Sequence, residues 1–113
     1  MPIEKVFAHI SCSNLESSIP WFTKLFSRAP DEAPMEGLAE WHQNNQAAFQ
    51  LFQDPKNAGH ATMTLGVSDL GSERSRLAEL KLQPGPIEEA DYVSLVRLRD
   101  PDQNLIVLAQ KRE

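Results

Sequence analysis

The chain has 113 residues, 41% of them hydrophobic and 24% charged, and a net charge of −5 at neutral pH. That is the balance of one globular domain, burying roughly two-thirds of its unfolded surface. With no basic cluster, the acidic balance argues against nucleic acid, which requires Lys and Arg to displace counterions, and against an anionic membrane surface. It favours a neutral or cationic small ligand.

No apolar stretch approaches the ~20 residues that span a bilayer, and the N-terminus lacks a signal-peptide pattern, so the expected location is cytoplasmic. Cys12 is the one cysteine, which excludes an internal disulfide. In an apolar strand it reads as a small buried hydrophobe rather than a catalytic thiol.

In chain order, "VFAHISC" reads as a strand carrying His9. In "SNLESSIPWFTKLF", Leu15, Ile19, Phe22 and Phe26 share one helical face. Pro20 is harmless only in a first turn, which predicts a helix start near Ser17 or Ser18. "RAPDEAP" breaks the pattern, and "LAEWH" and "AAFQLFQ" flank "QNNQ" as a hairpin. The apolar run before Ser68 reads as another strand. Leu70, Leu77 and Leu80 then mark a second helix capped by Ser68 or Asp69. After "QPGP", "YVSLVRLR" and "NLIVLAQ" flank "DPDQ" as a second hairpin.

"SNLES" at Ser13 to Ser17 returns as "SDLGS" at Ser68 to Ser72, 55 residues later. Each half runs strand, helix, then two or three strands, with modules at about 1–57 and 58–113. Neither half can bury its sheet alone; pairing the two solves that problem.

Three stretches resemble the glyoxalase/bleomycin-resistance/extradiol-dioxygenase family, the vicinal oxygen chelate superfamily. "HISCSNLESSIPWFTKLF" is similar to its first strand, Asp-Leu turn and aromatic-paired helix, with Trp21 and Phe22 as the pair. "ATMTLGVSDLGSERSRLAEL" resembles the start of its second module, and "RLRDPDQNLIVLAQ" its closing Asp-Pro-Asp-Gly-Asn hairpin, with Gln103 at the glycine position. The resemblance implies an α+β fold: two βαβββ modules forming a U-shaped curved mixed sheet with a central cleft and helices on the outer face. It also implies a homodimer.

Metal-dependent members hold their ion from cleft-facing strand positions, which in this chain are Phe7, Gln50, Thr62 and Val107. Phe and Val have no lone pair, and Thr and Gln are poor ligands for a catalytic divalent ion, so neither metal nor cofactor is expected. His9 shares the face of Phe7 because strand side chains alternate. A relocated site from His9, His60 and a carboxylate such as Glu40 is the alternative. Taken singly, His60 and His42 read as surface histidines.

The same alternation places Phe7, His9, Ser11, Ala48, Gln50, Phe52, His60, Thr62, Thr64, Leu105, Val107 and Ala109 on the cleft side. The opposite set, including Ile10, Cys12, Phe49, Leu51, Met63, Ile106 and Leu108, is apolar and should pack under the helices. Trp41 is a further cleft candidate beside its reading as a core or interface anchor. Arg97 and Arg99 share one face, here taken as a solvated edge.

The leading expectation is a metal-free small-molecule binding protein of the bleomycin-resistance type. The alternative is a lyase, isomerase or dioxygenase-like enzyme, with His9 as general base and Gln50 as hydrogen-bond donor, or with a relocated metal. A third reading is a domain acting through protein contacts, its cleft filled by Phe7, Phe52 and Val107.

Overall fold

The structure is a computed structural model that describes residues 1–112. Glu113, the last residue of the expected second module, lies outside the described residues. The elements are β1 (Val6–Cys12), α1 (Leu15–Phe26), β2 (Leu38–His42), β3 (Ala47–Gln53), a 3-10 turn (Pro55–Asn57), β4 (Thr62–Gly66), α2 (Leu70–Glu79), β5 (Glu88–Glu89), β6 (Val93–Arg99) and β7 (Leu105–Lys111). They form two mixed sheets, ordered β1-β3-β2 and β4-β7-β6-β5. In each, the first strand pairs parallel with the last and the hairpin closes antiparallel. This is the expected α+β fold. No helix among the described residues is long and apolar enough to cross a membrane.

The first module has three strands and one bridge, Glu32 to Glu40, where a fourth strand was expected. Pro30 and Pro34 flank that bridge, and neither has an amide proton with which to extend a ladder.

Both helices start on an Asx cap. Asn14 accepts from Ser17 N at 3.0 Å, and Asp69 accepts from Ser72 N at 3.1 Å. Helix α1 therefore begins at Leu15, earlier than the proline suggested, and Pro20 sits at its sixth residue. The missing proline amide falls opposite the carbonyl of exposed Glu16, where water can supply the bond. Leu80 is not part of the buried helical face. Helix α2 ends at Glu79, Leu80 is 36% exposed, and Leu82 turns into the core after Lys81 adopts φ 64°.

One hydrophobic core joins the modules, with Ile10, Phe22 and Trp41 from the first and Leu77, Val96 and Ile106 from the second. Polar bonds cross the same seam. Arg76 on α2 donates to the Lys24 and Leu25 carbonyls at the end of α1, and Asn104 Nδ2 donates to Ser11 O. Basic groups at a helix C-terminus satisfy its unpaired carbonyls.

Candidate functional site

Burial alternates along the strands as period two requires. Ile10, Cys12, Phe49, Leu51, Met63, Ile106 and Leu108 are buried beneath the helices. Phe7, His9, Thr62 and Thr64 are exposed on the helix-free faces, with Ser11, Gln50, Phe52, Leu105, Val107 and Ala109 half-buried. Ala48 shares the helix-free side by register but is buried. The candidate site consists of these two faces.

On the first sheet, strand pairing sets three rows across β1, β3 and β2: Phe7-Ala48-His42, His9-Gln50-Glu40 and Ser11-Phe52-Leu38. Side chains within a row stand one inter-strand spacing apart, about 4.8 Å, so polar groups in one row are in bonding reach. The middle row is bonded throughout. His9 Nδ1 lies 3.1 Å from Gln50 Oε1, and Gln50 Nε2 donates to Glu40 Oε2 at 2.8 Å. Glu40 Oε1 is 3.0 Å from His42 Nε2, and His42 Nδ1 is 3.1 Å from Lys5 Nζ. Glu32 reaches the same His42 nitrogen at 3.1 Å.

Glu40 is only 6% exposed, yet its carboxyl is held below the ordinary value. The bond from the Gln50 amide is the largest cause; burial opposes it and His42 assists. His9 packs against Phe52, with ring centroids 6.0 Å apart. The face therefore presents one aromatic ring against the imidazole, with Phe7 two positions away on the same face of β1 and Lys5 Nζ 5.4 Å from the centre of its ring.

On the second sheet the corresponding rows are Thr62-Leu105-Arg99 and Thr64-Val107-Arg97. Pairing register settles what alternation alone left open: Arg97 and Arg99 share the helix-free face with the threonines. Arg97 Nε pairs with Glu88 at 3.2 Å, and Arg99 Nη1 donates to Gln103 O at 3.1 Å. Val107 and Thr64 thus occupy in the second module the places held by Gln50 and His9 in the first.

Trp41 corrects its place among the cleft candidates. It is fully buried on the opposite side, against Phe22, Phe26 and Phe49, with Nε1 donating to Arg28 O at 2.9 Å. Its neighbours Glu40 and His42 face away from it, as alternation dictates. His60 is exposed beside Gly59, just ahead of β4. His9, His60 and Glu40 do not form a three-residue ligand cluster; among the described residues the group drawn together is Glu32, Glu40 and His42. That cluster went unread in the sequence, although the i, i+2 spacing in "EWH" places Glu40 and His42 on one face.

The residues at the family's ligand positions do not fit a divalent ion. Phe7 and Val107 carry no donor atom, Thr62 offers one neutral hydroxyl, and both ends of the Gln50 amide are already bonded. Glu32, Glu40 and His42 carry suitable donors, but His42 already bridges the carboxylates and Lys5. A separate groove of about 610 Å³ runs between the end of α1 and the free edge of β4, lined by Phe26, Ser27, Gly66 and Arg76 among others. Of the candidate cleft residues only Thr64 borders it.

No family model matches the chain, and no curated protein matches it. Solved structures do. A glyoxalase/bleomycin resistance protein from Catenulispora acidiphila DSM 44928 is 27% identical and has a TM-score of 0.86, covering 95% of this chain and 97% of that one. A bleomycin-binding protein complexed with bleomycin is 15% identical at TM-score 0.80, covering 96% and 99%. A lactoylglutathione lyase from Agrobacterium tumefaciens is 14% identical at TM-score 0.79, covering 96% and 94%. The last two likenesses speak to the fold alone.

Proposed function

We propose that the chain, which is similar in sequence and fold to a glyoxalase/bleomycin resistance protein, binds an organic small molecule on the helix-free faces of its sheets, with no metal ion of its own. The observation that carries this reading is the first sheet's middle row. Where metal-dependent members need a free donor, Gln50 spends both ends of its amide on His9 and Glu40. Phe7 and Phe52 add apolar surface beside it, the mixture typical of ligand sites. The 27% identical structural neighbour, a glyoxalase/bleomycin resistance protein, supports the class of function.

The ligand is neutral or cationic where it meets the first sheet, whose face carries Glu40 and Glu32. Arg97 and Arg99 belong to the second sheet, and Arg97 is already paired with Glu88. A homodimer is part of the same proposal. β1 is a sheet edge, and Val6 on it is 64% exposed, apolar area that a second copy would cover. Light scattering tests it: a monomer at micromolar concentration overturns this part. The proposed location is the cytoplasm, tested by fractionation.

Two measurements test the core of the proposal. After incubation with Ni, Zn, Mn and Fe and desalting, metal content by plasma mass spectrometry is expected well below stoichiometric; a stoichiometric amount of any of them overturns the metal-free reading. A ligand present at about 100 times its Kd adds roughly 2.7 kcal/mol of stability. A broad metabolite and antibiotic screen should therefore raise the melting temperature for some compound, and no shift at all counts against binding.

A further inference from the structure

The row from Lys5 to His9 admits one consistent placement of its protons. An ammonium only donates and an ionised carboxylate only accepts. Lys5 Nζ, 3.1 Å from His42 Nδ1, makes that nitrogen an acceptor, so the His42 proton sits on Nε2 and points at Glu40 and Glu32. On its other side Glu40 Oε2 must be met by a donor, which orients the Gln50 amide with Nε2 toward Glu40 and Oε1 toward His9. The reverse orientation would set two acceptors 2.8 Å apart. Facing a carbonyl oxygen, His9 Nδ1 has to carry the proton.

We propose that His9 is held as the Nδ1–H tautomer, so that its Nε2 lone pair is presented on the helix-free face as a hydrogen-bond acceptor for an O–H or N–H donor of the ligand. Gln50 and Glu40 are the positioning residues. The flanking rings select the ligand's shape: Phe52 packs on His9, and Phe7, 42% exposed, precedes it by two positions on the same face. A planar molecule with an acidic hydroxyl or imide N–H satisfies both features, stacking on the rings while donating to Nε2. The proposal rests on the reading above only for where a ligand approaches; the tautomer is a property of the free protein and can be read without any ligand.

Long-range proton–nitrogen correlation spectra at about pH 8.5, where an ordinary imidazole is neutral, provide the test. His9 is expected to show a protonated Nδ1 and a bare Nε2, and His42 the opposite pattern. Glu40→Gln removes the acceptor-only centre that orients the Gln50 amide and should leave His9 as a tautomer mixture, while Lys5 still holds His42 as its Nε2–H form. Gln50→Leu should release His9 alone, with His42 unchanged. The second variant keeps the test decisive if the first fails to fold. His9 found mainly as the Nε2–H tautomer in the wild type, or a His9 pattern indifferent to Gln50→Leu, overturns the proposal. Phenol serves as the donor probe and toluene as its control. Phenol should move the His9 Nε2 resonance in proportion to dose while toluene leaves it in place; equal responses, or none to phenol, overturn the ligand class.

Discussion

Gln53 and Gln110 stand at the same place in the two halves of the chain, each reaching from the last strand of its module to the first residue of its module's helix. Gln53 Oε1 accepts from Leu15 N at 2.8 Å, and Gln110 Oε1 accepts from Leu70 N at 2.7 Å. The opening amides of a helix have no partner within it, so each glutamine satisfies one and ties the helix to its sheet. Gln53→Ala and Gln110→Ala should each cost about 1 kcal/mol and lower the melting temperature by roughly 4 °C. Thermal denaturation reads this directly. Unchanged melting of both variants would deny the glutamines this role.

Glu40 makes stability depend on pH in a fixed direction. The Gln50 amide, above all, holds its carboxyl below the ordinary value of 4.5 in the folded chain. A depressed folded value contributes stability that is fully present above the unfolded value and is lost as pH falls through the folded one. Glu40→Gln should therefore destabilise by about 1.5–3 kcal/mol at neutral pH, the range for hydrogen bonds to a charged group. The gap between the two proteins should narrow as pH drops below 4.5. Urea unfolding at several pH values checks it; a gap that stays constant or widens in acid contradicts the assignment.

Gln103 and Gly59 should respond in opposite senses. Gln103 holds φ 73° in the β6–β7 turn, a left-handed conformation that costs a side-chain-bearing residue roughly 1–2 kcal/mol. Gln103→Gly should recover about 0.5–1 kcal/mol after glycine's own entropy cost. Gly59, at φ 90°, lies against the same turn, and a Cβ there would meet Asp102 O at 2.7 Å. Gly59→Ala should therefore destabilise by about 1–3 kcal/mol. Chemical denaturation of the pair is the check, and a stabilising alanine would contradict the close approach.

Cys12 should be inert in the native protein. It is fully buried, and its thiol is pushed up to about 11, chiefly by burial and then by the negative charge of Asp102. The thiolate is the reactive form. Iodoacetamide at about pH 8 should leave the folded chain unmodified and label it fully in denaturant. Labelling of the folded chain at the rate of a free thiol would show that this part of β1 opens.

The correspondence between sequence and structure is closest where periodicity was long. The apolar alternation in β1, β3, β4 and β7 predicted which residues would lie beneath the helices, because one face of each sheet had to be buried. Both hairpins formed around "QNNQ" and "DPDQ" as expected. Shorter signals were overridden. Pro20 delays no helix start, since the Asn14 cap and Gln53 secure the first turn ahead of it. Trp41 alternates with Glu40 and His42, but with a strand of five residues the sequence did not show which side α1 would cover.

By itself the sequence determined the element order and the absence of donor atoms at Phe7 and Val107, because each depends on residue type and short-range spacing. Only the tertiary structure decided which side chains meet. His9, Gln50 and Glu40 come from three strands separated by up to 41 residues, and their row exists only because β1 pairs parallel with β3 while β2 pairs antiparallel with it in one particular register. A slip of one residue would turn every side chain on the slipped strand to the other face and leave the Glu40 carboxylate without the amide that holds it charged.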